Sequence, residues 1–229
     1  MKNQDVLKRK SAERAIEFVK SGMVLGFGTG STFNHVLHVL AEKLNSGELE
    51  NIVGIPSSQK TEELAMELMI RTDTLANYPI LDLTIDGADE VDDSLNLIKG
   101  GGAAHLREKV IAQASKQFVI IVDESKISKF LGEKWAIPVE VIKMALDVEI
   151  IFLESQGAKV KQRLDAEGDL LITDEGNYIL DANFGVIKNP KKIARKLEKR
   201  AGIVEHGLFV NMADYVVVAK EDGIEVISK

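Results

Sequence analysis

The sequence predicts an α/β protein: a doubly wound, mostly parallel sheet of the Rossmann-like kind, with a smaller ferredoxin-like α+β domain. Three observations lead there. Short aliphatic runs alternate with amphipathic stretches of helical period from Asp5 to Val122. Several runs are apolar throughout, Phe118-Val119-Ile120-Ile121-Val122 most plainly, as are strands buried on both faces. After Gly132 the rhythm changes to closely spaced strands with two helices, and the last apolar run, Tyr215 to Ala219, is suited to rejoin the first sheet. The expected division is a Rossmann-like domain at 1–132 plus 207–229 and an α+β domain at 133–206.

The elements follow in order. Asp5 to Lys20 is an amphipathic helix with Leu7, Ala12, Ala15, Ile16 and Val19 as its apolar positions. Met23 to Phe27 is a strand, Thr32 to Leu44 a helix, Ile52 to Pro56 a strand and Ser58 to Met69 a helix. Ile80 to Ile85 alternates and runs into an Asp86-Gly87 turn. Ala103 to Ser115 reads as a helix with Ala103, Leu106, Val110 and Ala114 on its apolar side. The strand Phe118 to Val122 ends in Asp123-Glu124-Ser125-Lys126. Beyond it come strands at Ile137 to Ile142 and Ala158 to Arg163, helices at Leu146 to Gln156 and Lys191 to Arg200, and a hairpin pairing Leu170 to Thr173 with Tyr178 to Asp181. There are no internal repeats or low-complexity tracts.

Composition narrows the function. The 229 residues are 45% hydrophobic and 28% charged, the balance of an ordinary globular protein. A net charge of −7 offers no basic surface for nucleic acid. With no cysteine there are no disulfides, thiolate metal sites or cysteine nucleophiles. The charged N-terminus lacks the apolar core of a signal peptide, and the apolar runs are too short for a membrane span, so a cytoplasmic protein is expected.

Chemistry concentrates between Asp86 and Lys109, DGADEVDDSLNLIKGGGAAHLREK. Lys99-Gly100-Gly101-Gly102 sits where a strand hands over to a helix, and three glycines lower the barrier to close approach by a ligand while presenting N–H groups at the positive end of a helix dipole. Asp86 and Asp89 bracket the Gly87-Ala88 turn and can accept hydrogen bonds from sugar hydroxyls. Glu90, Asp92 and Asp93 read as a charged, solvated loop; the spacing of the five carboxylates does not fit an EF-hand loop. Glu108, in the second turn of the helix at the edge of its apolar face, is placed as a general base would be. Arg107 falls within the apolar arc and reads as the structural partner of a buried carboxylate, while His105 and His206 have no metal-ligand spacing. Gly26 to Thr32, GFGTGST, also joins a strand to a helix. The dinucleotide fingerprint wants a third glycine where Ser31 stands, and a Walker loop wants Gly-Lys-Ser/Thr. A monophosphate cradle remains, with hydroxyls from Thr29, Ser31 and Thr32, alongside a purely structural glycine turn.

Taken together, GTGST at Gly28 to Thr32, DGADE at Asp86 to Glu90, KGGGAA at Lys99 to Ala104, REK at Arg107 to Lys109, DESK at Asp123 to Lys126 and GIVEHGLF at Gly202 to Phe209 resemble the type A ribose-5-phosphate isomerases, over essentially the whole chain. His105 departs from the family, which usually has leucine there. The resemblance implies interconversion of ribose 5-phosphate and ribulose 5-phosphate in the non-oxidative pentose phosphate pathway, with no metal or other cofactor, by a homodimer or homotetramer. Glu108 matches the proton-transferring base, and Asp86, Asp89 and Lys99 match residues around C1 and C2. Substrate binding is implied for Lys8, Thr29, Gly30, Ser31, Thr32, Asp86, Gly87, Ala88, Asp89, Lys99, Gly100, Gly101, Gly102 and Lys126. Two other classes fit less well. A non-enzymatic sugar-phosphate sensor leaves Glu108 without a role, and an acyl or CoA transferase with a Glu108 nucleophile needs a nucleotide site.

Overall fold

The computed structural model describes residues 2–229, with side chains from residue 4 onward. In chain order the elements are α1 (Lys2–Ile16), β1 (Val24–Phe27), α2 (Ser31–Asn45), β2 (Val53–Pro56), α3 (Gln59–Glu67), β3 (Leu83–Gly87), β4 (Glu90–Val91), β5 (Leu97–Ile98), α4 (His105–Gln113) and β6 (Phe118–Asp123). There follow β7 (Ile137–Val141), α5 (Leu146–Ser155), β8 (Lys159–Gln162), β9 (Tyr178–Asn183), α6 (Pro190–Leu197), β10 (Ile203–His206), β11 (Leu208–Phe209), β12 (Tyr215–Lys220) and β13 (Gly223–Ser228).

Two compact units result. The first holds the chain up to Ala88, Arg107–Lys126 and Met212–Lys229; the second holds Asp89–Leu106 and Ile127–Asn211. The first unit is built on a six-stranded sheet of order β13-β12-β6-β3-β1-β2. Its strands are parallel except for the β13 edge, which is antiparallel to β12. The chain steps from β1 outward to β2 and then back to β3 on the other side of β1, so the topological switch point lies between β1 and β3. Ligands of open α/β sheets bind beyond the carboxyl ends of the strands at such a point. The core packs Ala12, Ala15, Ile16 and Val19 with Leu25, Phe27, Phe33, Leu37, Leu40 and Leu83.

In the second unit the order β7-α5-β8-β9-α6-β10 gives an antiparallel sheet ordered β10-β7-β9-β8, the ferredoxin-like arrangement. Residues 89–106 also belong here, because β5 pairs with β4 on one side and with β11 on the other in a three-stranded sheet. Strands of two residues carry no period, which is why the sequence pattern assigned this stretch to the larger domain. The expected hairpin also takes another form. Tyr178 to Asp181 lies in β9, which pairs with β7 and β8, and 170–173 makes only isolated bridges, Leu164 to Leu170 and Ile172 to Tyr178. Glu140 holds that excursion in place, accepting from the Thr173 hydroxyl at 2.8 Å and the Asn177 amide at 2.9 Å.

Candidate active site

In the first unit, glycines decide how closely β1 and β3 approach at their carboxyl ends. A Cβ on Gly26 would overlap the Thr84 hydroxyl and Ile111 of α4, and one on Gly28 would overlap the Asp86 carboxylate and lie 2.7 Å from the Asp86 Cα. Asp86 is 0% exposed. Its Oδ1 accepts from Thr29 N at 3.1 Å, bridging the switch point, and from Gly87 N at 2.7 Å. Gly30 adopts φ +108°, a conformation that favours glycine, and starts α2. The GFGTG run thus combines two close-packing positions with one backbone reversal.

The start of α2 differs from those of α3 and α6. Ser58 accepts from Thr61 N and Asn189 accepts from Lys192 N, so α3 and α6 cap themselves. Gly30 gives α2 no side-chain cap, and the first helical bond is Asn34 N to Gly30 O. The N–H groups of Ser31 and Thr32 therefore face outward at the positive end of the dipole. Lys8 of α1 donates from Nζ to the Ser31 hydroxyl at 3.0 Å, adding a cation to this helix start. Thr29 plays another part: its hydroxyl joins Ser57 at 2.8 Å and Ser58 at 2.9 Å, and Thr61 closes the group by donating to Gly28 O at 2.8 Å. These hydroxyls brace the turn from behind. Ser57 and Ser58 are not among the residues singled out by motif, although their place at the carboxyl end of β2 is a usable signal.

Glu108 lies in the first turn of α4 and is 4% exposed. The helix is rotated from the expected setting. His105, Glu108, Lys109, Ile111 and Ala112 are buried, whereas Val110 is 43% exposed and Ala103 precedes the helix at φ +60°. The buried face includes charged residues, which a hydrophobic count assigns to solvent. Lys126 closes a 3₁₀ turn, Glu124–Lys126, directly after β6 and is half-buried.

In the second unit, Lys99 follows β5 and is 2% exposed. Its N donates to Gly207 O at 2.9 Å and its Nζ stands 5.6 Å over the Phe209 ring. Gly100 has φ +103°, and a Cβ there would lie 2.7 Å from His105 Nδ1. Asp89 Oδ2 accepts from Gly101 N at 2.7 Å, and a side chain on Gly101 would run into that carboxylate. Gly101 and Gly102 are exposed. Glu90 and Asp92 correct the solvated-loop expectation. Glu90 is 0% exposed and accepts from Gly132 N at 2.8 Å and Lys134 N at 3.1 Å, while Asp92 accepts from Ser94 N and Asn96 N; of the three only Asp93 is exposed. The carboxylates satisfy backbone amides, a pattern without sequence periodicity. Among the described residues no group of three or more His, Asp or Glu side chains is arranged to hold a metal ion, and no helix is long and apolar enough to cross a membrane.

A doubly wound sheet carrying an uncapped helix start, a lysine beside it and buried carboxylates defines an α/β enzyme for a small anionic molecule. Residues 53–223 match the family described as ribose 5-phosphate isomerase A (phosphoriboisomerase A). The ribose-5-phosphate isomerase A of Desulfatibacillum aliphaticivorans is 53% identical over 224 residues, 98% of this chain and 97% of its own. A solved D-ribose-5-phosphate isomerase in complex with phospho-erythronic acid is similar at a TM-score of 0.97 and 38% identity over 99% of both chains. The ribose 5-phosphate isomerase A of Methanocaldococcus jannaschii is similar at 0.93 and 40%, over 97% of this chain and 98% of its own. The chain belongs to the ribose 5-phosphate isomerase A family.

Proposed function

We propose that this chain interconverts D-ribose 5-phosphate and D-ribulose 5-phosphate through an enediol(ate), with Glu108 as the base. Its carboxylate takes the proton from C2, the electron pair forms the C1–C2 double bond, and O1 gains negative charge. Returning the proton to C1 while the O2 proton passes to O1 gives the ketose. Lys99, Asp86 and Asp89 serve the oxygens at C1 and C2, where an ammonium stabilises the developing charge and a carboxylate relays a hydroxyl proton. The start of α2, at Ser31 and Thr32, takes the phosphate with Lys8 and Lys126, while Thr29 braces the turn behind it. Gly87, Ala88 and Gly100 to Gly102 approach the sugar through their backbone. The reading is carried by Glu108, a carboxylate almost fully removed from water in the first turn of α4. The related isomerase bound to phospho-erythronic acid supports the ligand class, an aldonic acid bearing a phosphate. The cysteine-free composition fits a reducing cytoplasm, and the resemblance supports a homodimer or homotetramer.

A coupled assay with ribose 5-phosphate tests the reading. Glu108→Gln keeps the shape and removes the base, so kcat falls by about 10² or more, the low end for a general base. In D₂O the wild-type enzyme places some deuterium on C1 of the ketose. No turnover by the wild type, or near-normal turnover by Glu108→Gln with complete retention of protium, overturns it.

A further inference from the structure

The glycine turn after Lys99 has no side chains with which to hold its own shape. Each glycine enters the left-handed region as readily as the right. Ala103 N closes the turn on Gly100 O at 3.0 Å, and a second restraint comes from Arg163, just past β8 in the second unit. The Arg163 Nε donates to Asp181 Oδ2 at 3.0 Å, and Nη2 donates to Asp181 Oδ1. This two-point pairing with a β9 carboxylate fixes the guanidinium plane, and the Arg163 side chain is only 13% exposed. The remaining nitrogen, Nη1, donates to Gly100 O at 2.6 Å and to Gly101 O at 3.2 Å.

Asp89 grips the same backbone from the other side. Gly100 C=O and Gly101 N–H belong to one peptide unit; the carbonyl is held by Arg163 and the N–H by Asp89 Oδ2 at 2.7 Å. A trans peptide is planar with its C=O and N–H opposed, so holding both ends sets its orientation. The next peptide is held by its Gly101 carbonyl, which turns the Gly102 N–H away from the guanidinium. The grip also reaches Asp89, since the Gly101 N–H that holds its carboxylate is itself held through the adjoining carbonyl.

We infer that Arg163, oriented by Asp181, is a positioning residue for the isomerase: it sets the Gly100–Gly102 peptides, and with them the Asp89 carboxylate, for the sugar end of the substrate. The inference rests on the reading that this turn meets the substrate. Arg163 acts through the backbone and touches no reacting atom. Lysine cannot replace it, because one ammonium cannot hold both Asp181 oxygens and two carbonyls in a fixed plane.

The test compares the full-length wild type with Arg163→Ala, Arg163→Lys and Asp181→Asn, by turnover and by inhibition with two probes. Phospho-erythronic acid presents both a sugar-like end and a phosphate; inorganic phosphate presents only the anion. Arg163→Ala is expected to lower kcat/KM by about 10- to 100-fold, the scale of a misplacement of about 1 Å at the reacting end. Arg163→Lys and Asp181→Asn should fall in the same direction. Inhibition by phospho-erythronic acid should weaken by about tenfold or more, while inhibition by inorganic phosphate stays within about twofold, and millimolar guanidinium should restore part of the Arg163→Ala activity alone. A parallel loss of both inhibitors overturns the inference, because general loosening would move both. So does an active wild type whose Arg163 variants match it, an outcome that leaves the proposed isomerase reading intact. A wild type that turns over no ribose 5-phosphate overturns that reading, and this one with it. Should Arg163→Ala not fold, Arg163→Lys and Asp181→Asn decide by the same measurements.

Discussion

Replacing Gly28 by alanine should separate the chemistry from mere folding, and the structure sets the size of the effect. The added Cβ would lie 2.7 Å from the Asp86 Cα, and real Cβ atoms essentially never approach a neighbour within 3.0 Å. Rotating the Asp86 side chain cannot relieve a contact with its backbone. The ends of β1 and β3 must therefore part by at least 0.3 Å, from 2.7 to 3.0 Å, and the overlapped carboxylate must swing further. That movement strains its bonds from Thr29 N and Gly87 N. Overpacking of this kind costs about 1–3 kcal/mol. For a protein of this size the melting temperature should drop by about 2–12 °C. On the proposed role of Asp86 at C1 and C2, the kcat for ribose 5-phosphate should fall by about 10- to 100-fold. Gly54→Ala is the matched control: its Cβ would overlap the Phe27 ring, again pressing on β1, but away from any carboxylate. Differential scanning calorimetry and the coupled assay are run on both at a temperature where both are folded. If Gly28→Ala loses no more activity than Gly54→Ala at comparable loss of stability, the role given to Gly28 in placing Asp86 is wrong.

Two further outcomes follow from the same unit. Ser31→Ala and Thr32→Val should raise KM more than they lower kcat, and weaken competition by inorganic phosphate in parallel, because they sit at the open start of α2; an unchanged KM with a collapsed kcat would move the phosphate elsewhere. The Asp82 carboxyl is held below its ordinary range by the Lys116 ammonium at 2.8 Å and then by the Val24 N–H at 2.9 Å. A depressed folded value means the stabilisation is complete above the unfolded value of about 3.9 and is lost as pH falls through the folded one. Asp82→Asn should therefore cost up to about 1 kcal/mol at pH 7, with the difference shrinking below about pH 4 in urea titrations; a difference that is constant with pH would show that the charge is not its source.

The parts of this molecule legible in the sequence are those with a period or a breaker. Strands β1, β2, β3, β6 and β12 announce themselves as aliphatic runs, and Gly30 and Gly100 mark reversals that their positive φ values require. Asp86 and Lys99 are legible because they lie beside turns that leave strands, and Glu108 because it borders the apolar face of a helix, although the helix starts at His105 and places it in the first turn rather than the expected second. Glu90 and Asp92 are not legible, because a buried carboxylate that serves backbone amides looks, in sequence, like any acidic loop. The outward setting of Val110 is not legible either, because charged Glu108 and Lys109 occupy the inward face of α4. Arg163 was invisible for a different reason: its partners are Asp181 and the carbonyls of Gly100 and Gly101, and no local pattern relates positions that far apart.

The first unit is assembled from stretches that leave the ribosome at very different times. Val217 of β12 packs in one cluster with Ala12, Ala15 and Ile16 of α1, and β12 takes its place beside β6 with β13 outside it. During synthesis α1 emerges well before β12, so this part of the apolar face of α1 waits without its β12 partner until the intervening segments have been made. The ferredoxin-like part, contiguous from β7 to β10, has no such wait and can close while β12 is still unmade. The unit that carries Glu108 therefore completes its sheet only once β12 is made, and a ribosome-stalled chain lacking β12 and β13 would leave the β6 edge and part of the α1 face uncovered, the kind of surface through which incomplete chains associate.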